Sequence, residues 1–129
     1  MDTTTLSAFS VESFIAGTGP RFRDRATQHD RSGDFVADNY RDLKDHRLFA
    51  ALVPEELGGL GLTHATVCDL LRQIAHYCPS TALAQSMHQH LVSAAVWKYR
   101  HRGQAEALLR RVAAEQLVLV STGARDWLG

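Results

Sequence analysis

The sequence has few cysteines, and their spacing already excludes a disulfide between them. There are two among 129 residues, Cys68 and Cys78. Both lie in or at the end of one predicted helix, where ten residues span about 15 Å, well beyond the reach of a disulfide bond. The sequence therefore predicts two reduced thiols.

Long hydrophobic runs, a net charge and a secretory signal are also absent. No apolar run approaches the ~20 residues that cross a bilayer. Fourteen basic and fourteen acidic residues give a formal net charge of zero, which leaves no electrostatic footprint for nucleic acid or an anionic membrane. The first residues, Met1 to Thr5, lack the basic and apolar segments of a signal peptide. We therefore expect a cytoplasmic protein that binds neither nucleic acid nor a membrane.

The composition that remains is that of an ordinary globular domain with helical periodicity. Hydrophobic residues make up 45% of the chain and charged residues 22%, and a chain of this size buries roughly two-thirds of its unfolded surface. Apolar spacing predicts helices over 20–31, 36–46, 63–79 with Thr63 as N-cap, 80–97 with Ser80 or Thr81 as cap, and 104–115. In residues 1–19 we expect a short, frayed helix that Gly17 to Pro20 breaks. The predicted fold class is all-α, a bundle of about five to six helices.

Two expectations about burial follow from these helices. Apolar residues such as Leu83, Met87 and Trp97 surround most of the helix over 80–97, and a helix apolar nearly all round is typical of a buried one. The arginine clusters near residues 21–25 and 100–111 are interrupted by acids or spread along helices. We expect those clusters to be solvated faces.

A glycine-dense stretch, Leu52 to Leu62, differs from a flexible linker. Pro54 fixes φ, and the glycines at 58, 59 and 61 permit positive φ and close approach of the backbone. Interleaved leucines predict packing against a core. The spacing matches neither the G-x-G-x-x-G pattern nor the phosphate loop with its lysine. We therefore predict an ordered bend rather than a phosphate-binding loop.

A short β-prone run, Leu117 to Val120, follows the last predicted helix. A lone strand leaves its backbone groups unpaired and exposes an edge that native proteins avoid. The other β-prone run, Leu48 to Val53, could pair with it. We expect instead that the chain is unfinished and that the partners of this strand belong to a longer protein.

Several stretches, in order along the chain, resemble the N-terminal helical domain of the acyl-CoA dehydrogenase family. Arg25 to Phe35 looks like the exit of the family's first helix, and Tyr40 to Leu43 resembles the helix that follows. Leu48 to Gly61 is similar to the family's most recognisable N-terminal stretch. Ser80 to Ala84 opens a helix where the family begins its central buried helix. The resemblance covers residues 22–129, which correspond to the first part of a full-length member.

The resemblance implies an FAD-dependent oxidoreductase that dehydrogenates acyl-CoA thioesters, with the flavin carrying the redox chemistry. Residues 1–19 are a poorly defined segment, 20–116 the helical domain and 117–129 the start of an incomplete middle β domain. The family's catalytic glutamate lies beyond Gly129, so no catalytic residue is assigned. We expect this chain alone to be inactive and not to retain FAD. The implied partners are an acyl-CoA substrate, the missing C-terminal domains and, in the complete form, further copies of the protein.

The resemblance also points to candidate site residues. Ser121, Thr122 and Gly123 fall where the family presents a loop to the flavin, which makes them candidate cofactor contacts. Met87 and His88 lie on the helix that passes near the family's acyl pocket, which makes them candidate substrate-pocket residues. The alternative interpretation is that Met87 fills the core and His88 is a partly buried, hydrogen-bonded side chain.

Two positions depart from the family pattern. Arg47 stands where the family commonly has glycine, and a left-handed conformation at arginine would cost on the order of 1 kcal/mol. The loop after Ser121 is shorter than the family's, lacks its proline and has Arg125 where serine is common.

The seven histidines do not indicate a metal site. His88 and His90 are two residues apart on a helix and point in different directions. His64 and Cys68 could share a metal, but a structural zinc site needs four ligands. No metal is therefore expected.

Two other functions remain open from the sequence. One is a self-standing helical module, derived from the family, that binds a partner protein or dimerises. The other is the N-terminal part of a related flavin-dependent monooxygenase.

Overall fold

The computed structural model of the protein describes residues 9–121 and residue 123. Five α-helices account for most of this part of the chain: α1 (Val11–Ser32), α2 (Ala37–Asp45), α3 (His64–Tyr77), α4 (Pro79–Arg102) and α5 (Glu106–Glu115). Since the described residues form no strand, the predicted all-α fold class is confirmed. None of the five helices is both long and apolar enough to cross a membrane.

Helix α1 runs unbroken through Pro20, so the break predicted there is wrong. A proline inside a helix removes a hydrogen bond and costs about 3 kcal/mol. The helix persists because Phe14 and Phe22, on either side of the proline, are both buried in the core. Gly19 lets the ring of Tyr77 from α3 lie against the backbone, since a Cβ at Gly19 would come 2.9 Å from Tyr77 Cζ.

A chain of polar contacts joins α1, α2 and α4. The Arg25 guanidinium donates to Asn39 Oδ1 at 2.8 Å and to Asp42 Oδ2 at 3.0 Å. Asn39 Nδ2 then donates to Thr81 Oγ1 at 2.9 Å. Burial alone would raise the pKa of Asp42, but hydrogen bonds and charge from Arg21 and Arg25 outweigh it and lower that pKa. Both arginines are therefore structural, and the solvated face predicted for their cluster is wrong at the half-buried Arg25, whereas Arg21 is exposed as expected.

Helix α4 starts with Pro79, where a missing N–H costs little because the first helical N–H groups have no partner within the helix. Thr81 is buried one turn inside, where its hydroxyl donates to Cys78 Sγ at 3.2 Å. The cap predicted at Ser80 or Thr81 is therefore wrong. The cap predicted for α3 is confirmed, because the Thr63 side chain accepts a backbone N–H of the first turn.

The glycine-dense stretch forms the ordered bend that its sequence predicts. Short 3-10 helices lie at Leu48–Ala50 and Glu55–Leu57. Three backbone hydrogen bonds close the bend: Leu60 N–H to Ala50 O at 3.0 Å, Gly61 N–H to Val53 O at 2.9 Å and Leu62 N–H to Ala51 O at 2.8 Å. Gly59 is required because a Cβ there would lie 2.1 Å from Val53 O. The run from Leu48 to Val53 is therefore a buried turn and offers no strand.

Arg47 adopts the left-handed conformation, with φ 60° and ψ 27°. Its guanidinium donates to Gly58 O at 3.0 Å and to Ala113 O at 3.2 Å. Ala113 lies in the last turn of α5, where carbonyl groups lack partners within the helix. The arginine therefore joins the bend to α5, and these hydrogen bonds offset the strain of its own backbone.

Residues 117–121 continue after α5 without regular secondary structure. The strand expected at Leu117 to Val120 is not formed within the described residues, because a strand needs a partner and the other β-prone run is folded into the bend. Leu117 and Leu119 are half-buried against the core, whereas Val118 and Val120 are exposed.

Candidate functional site

The side of α4 that faces the core carries polar side chains. Gln85, His88 and Gln89 recur at i, i+3 and i+4 and are almost completely buried. Both glutamines donate to Leu48 O, at 3.4 Å from Gln85 and at 2.8 Å from Gln89. His88 Nε2 lies 2.7 Å from Phe49 O. This polar row supplies the donors that the backbone of the buried turn needs, since a buried carbonyl without a partner is costly.

The two ring nitrogens of His88 have different partners. A carbonyl oxygen can only accept, so Nε2 carries the proton that is donated to Phe49 O. The backbone N–H of Leu119 donates to Nδ1 at 2.9 Å, so Nδ1 is unprotonated. Burial lowers the pKa of His88 below its ordinary value of 6.5, and the backbone hydrogen bond to Phe49 opposes this only in part. His88 is therefore a neutral imidazole that links α4, the buried turn and residues 117–121.

The opposite side of α4 is apolar and faces outward. Leu83 is 69% exposed and Met87 47% exposed, and Leu91 and Ala94 continue the same row one and two turns further. We call these four residues the outer face of α4. The expectation that this helix is buried all round is wrong, because glutamine and histidine share the core-facing positions with alanine and valine, while leucine and methionine lie outside.

A cleft of about 280 Å³ lies at the end of the outer face, between α4, α5 and residues 117–121. Its lining is mostly apolar: Leu91, Ala94, Ala95, Lys98, Ala105, Leu108, Leu119 and Val120. Val120, at 79% exposure, is among the most exposed apolar residues of the described chain. The outer face and the cleft together form a continuous apolar surface.

The structure places the two candidate pocket residues on different sides of α4. Met87 belongs to the outer face, so the interpretation of Met87 as a core filler is wrong, and its role in a substrate pocket stays a prediction. His88 points inward and is completely buried. It supports the cleft indirectly, because its Nδ1 holds the backbone of Leu119, whose side chain lines the cleft.

Ser121, the first of the three candidate cofactor residues, follows directly on Val120, which lines the cleft. Ser121 is half-buried, and Gly123 is exposed with a φ of 123°, a conformation that suits glycine. Thr122 lies outside the described residues. The cofactor role of all three residues stays a prediction.

Sequence reasoning missed the polar row and most of the cleft. Gln85 and Gln89 carried no signal, because their partners are carbonyls about 40 residues earlier in the chain. The outer face could have been found, since Leu83, Met87 and Leu91 repeat every four residues and so lie along one stripe. From the sequence, that stripe was grouped with the other apolar residues of the same helix and was not recognised as a face of its own.

Metal-binding side chains do not converge in the described residues. No group of three or more His, Cys, Asp and Glu side chains comes together within them. Both cysteines are free thiols, Cys68 exposed and Cys78 buried, which confirms the prediction that they are reduced.

Residues 10–116 match the family model described as acyl-CoA dehydrogenase, N-terminal domain. The L-evernosamine nitrososynthase of a Micromonospora species is 34% identical over 110 residues, which are 81% of this chain and 26% of the relative. The human mitochondrial short-chain specific acyl-CoA dehydrogenase is 30% identical over 82 residues, 64% of this chain and 20% of the relative. A solved structure of KijD3 in complex with dTDP has a TM-score of 0.75 and 35% identity, covering 84% of this chain and 29% of that one. The chain thus spans between 20% and 29% of the length of these proteins.

Proposed function

The chain belongs to the acyl-CoA dehydrogenase family, and on that premise we propose that its helices form one wall of the active site of a flavin-dependent oxidoreductase. The observation that carries the proposal is the apolar surface made by the outer face of α4 and the adjoining cleft. Exposed apolar surface of this extent is typical of a site that another domain or a ligand covers. We assign the turnover to a complete polypeptide, because this chain matches only 26% of the length of the nitrososynthase relative.

The reaction that we propose is oxidation of an amino sugar at its nitrogen by a flavin-dependent monooxygenase. The support is the similarity to L-evernosamine nitrososynthase, which extends over 81% of this chain, and to the structure that contains dTDP, which extends over 84%. A nucleotide-linked amino sugar is the substrate class that these two relatives suggest.

The residues at the edge of the cleft suit one edge of a flavin. Ser121 offers a hydroxyl group, and Gly123 offers backbone that can approach a ring closely because it lacks a side chain. Met87 and Val120 offer an apolar surface to a planar ring. When bound, the flavin would supply the redox chemistry, and this chain would contribute binding, orientation and exclusion of water.

Dehydrogenation of an acyl-CoA thioester is the second candidate. It is favoured by the apolar lining of the cleft, which suits an aliphatic chain, and by the 30% identity to the human short-chain dehydrogenase. The outer face and the cleft serve both reactions, since either substrate would lie beside the flavin against the same apolar surface.

Two chimeric enzymes would test the proposal. Residues 10–116 of this chain replace the corresponding domain in L-evernosamine nitrososynthase and, separately, in the human short-chain dehydrogenase. Each chimera is purified and assayed for bound flavin by its visible absorption, and then for turnover of its own substrate. We expect the nitrososynthase chimera to retain flavin and to oxidise the amino sugar.

A matched pair of variants connects the result to the outer face. Met87→Lys places a charge on the apolar surface and is expected to reduce bound flavin and turnover. Arg72→Gln, on the exposed side of α3, is expected to change neither. Activity in the dehydrogenase chimera alone would favour the second candidate, and two folded chimeras without flavin would contradict the proposed wall.

A further inference from the structure

A second pocket, separate from the outer face, lies between the start of α3 and the end of α4. Its volume is about 300 Å³, and it is lined by His64, Ser93, Val96, Trp97, Arg100 and His101. Ligand sites in proteins begin at about this size, so the pocket suits a small molecule or one group of a larger one. None of these six residues is acidic.

The positive charge of this pocket is not neutralised by neighbouring carboxylates. Several other exposed arginines have acidic partners: Arg72 pairs with Asp69, Arg110 with Glu106 and Arg111 with Glu115. No such ion pair is found for Arg100 among the described residues. The arginine cluster around residues 100–111, which was predicted to be a solvated face, therefore has two parts. Arg110 and Arg111 pair with acidic side chains, and Arg100 lines the pocket.

The negative end of the helix dipole at the C-terminus of α4 offsets only part of this positive charge. Cations in a last turn are stabilised by the helix dipole, whose end carries roughly half a negative charge. The last turn of α4 contains Arg100, His101 and Arg102, and the two arginines alone bring two full positive charges. Arg102 does not line the pocket, and its guanidinium lies 5.4 Å from the ring centroid of Trp97. Arg100 and His101 are left to face the pocket.

The remaining polar groups of the pocket are arranged as donors. His64 Nε2 and Ser93 Oγ are 2.6 Å apart. When the imidazole donates in this bond, the Ser93 hydroxyl proton is free to be donated to a ligand. Trp97 is half-exposed and its ring lies 4.9 Å from that of His101, which gives the pocket a flat aromatic side.

We propose that this pocket binds a phosphoryl group, free or as an ester. A guanidinium, two imidazoles and a hydroxyl approach one space from two helices, and a phosphate has enough acceptor oxygens to engage several donors at once. It also carries about −1.5 to −2 charges at neutral pH, so the Arg100 guanidinium attracts it more strongly than it attracts a single carboxylate. The proposal is independent of the proposed flavin chemistry.

Titration of the full chain with three probes at constant ionic strength would test this assignment. The probes are inorganic phosphate, phenyl phosphate and acetate, and binding is followed by NMR shifts of the Trp97 indole and the His64 and His101 imidazoles. We expect saturable shifts with both phosphates and much weaker ones with acetate. Arg100→Gln is expected to weaken binding about tenfold, as the loss of a charge-assisted hydrogen bond does. Arg72→Gln removes the same charge from an ion-paired position and should leave binding unchanged.

Each result decides the assignment. Binding of phenyl phosphate alone, lost in Arg100→Gln, would restrict the pocket to phosphate esters and support the proposal. Equal weakening by both variants would indicate general charge attraction and overturn it. Equal affinity for acetate, or the absence of saturable binding by either phosphate, would also overturn it. None of these readouts requires flavin or enzymatic turnover.

Discussion

Two segments of this protein look similar in sequence and are held in different ways. Residues 48–62 begin with the β-prone apolar run Leu48 to Val53, and residues 117–121 contain the other such run, Leu117 to Val120. The first is closed by its own backbone hydrogen bonds and by donors from α4, and its glycines allow one side of the bend to touch the other. The second extends along the surface and is joined to the core through the N–H of Leu119 and Nδ1 of His88. His88 binds both segments, one with each ring nitrogen.

This difference shows that apolar composition does not determine how firmly a segment is held. Residues 48–62 satisfy most of their backbone locally, so their conformation depends on the bend itself. Residues 117–121 are bonded to a buried imidazole and pack Leu117 and Leu119 against the core, so their conformation depends in part on the protonation of a side chain. The following experiments test that contrast, in order of decreasing expected effect.

Gly59→Ala should have the largest effect. A Cβ at this position would lie 2.1 Å from Val53 O, so the bend must open to admit a methyl group. We expect a loss on the order of 3 kcal/mol in the free energy of unfolding, measured by denaturant titration. Gly17→Ala is the control, since a Cβ there meets nothing within 4 Å and is expected to stabilise α1 by about 0.5–1 kcal/mol. Equal effects of the two substitutions would mean that the bend is not closely packed.

Acidification should act through His88. In the unfolded chain this imidazole titrates near 6.5, whereas burial lowers its pKa in the folded protein. Above pH 6.5 both states are neutral and the stabilisation is complete. As the pH falls below 6.5, the unfolded state binds a proton that the folded state does not. The free energy of unfolding therefore decreases, by at most about 1.4 kcal/mol per pH unit.

The variant His88→Gln distinguishes the titration of His88 from that of the other ionisable groups. Stability is measured by denaturant unfolding at several pH values below 7. We expect the variant to be less stable at neutral pH and to depend less on pH than the parent. His76→Gln, which removes an exposed imidazole from α3, should retain the pH dependence of the parent. A parent slope that survives in His88→Gln would exclude the buried imidazole as its source.

Arg47 tests the connection between the bend and α5. Arg47→Ala keeps an unfavourable left-handed backbone and loses the hydrogen bonds to Gly58 O and Ala113 O, for which we expect a loss of about 1–3 kcal/mol. Arg47→Gly loses the same bonds but relieves about 1 kcal/mol of backbone strain. Thermal unfolding should therefore rank the parent first, glycine second and alanine third. Alanine as stable as glycine would contradict the strain at this position.

Amide hydrogen exchange should detect the smallest effect. The N–H of Leu62 is bonded within the bend, and that of Leu119 is bonded to the imidazole. We expect the Leu119 amide to exchange faster in the native protein, because extended surface segments open locally at little cost. His88→Gln should accelerate exchange at Leu119 more than at Leu62. Equal exchange rates at the two amides would contradict the expected difference in local stability between the two segments.

Local chemistry made part of this fold predictable from sequence. The cap at Thr63 and the ordered bend with its glycines depend on residues a few positions apart. The left-handed backbone at Arg47 was also foreseeable, because the family pattern places glycine there. These features require no knowledge of tertiary packing.

Long-range packing decided what the sequence did not show. Pro20 remains inside α1 because Phe14 and Phe22 are buried on both sides of it. Gln85 and Gln89 are buried because distant carbonyls need donors, and this moves leucine and methionine to the outside of α4. The candidate site could therefore be predicted only in part. The sequence identified Met87 and His88 as candidates, but it did not show that they lie on opposite faces of α4.

The junction between α3 and α4 contains a buried cysteine whose labelling rate would report the separation of the two helices. Cys78 is 1% exposed and accepts a hydrogen bond from Thr81, whereas Cys68, ten residues earlier, is exposed. A thiol reagent should modify Cys68 at once and reach Cys78 only when the junction opens. The ratio of the two labelling rates therefore reports how often α3 and α4 separate, without the introduction of a new residue.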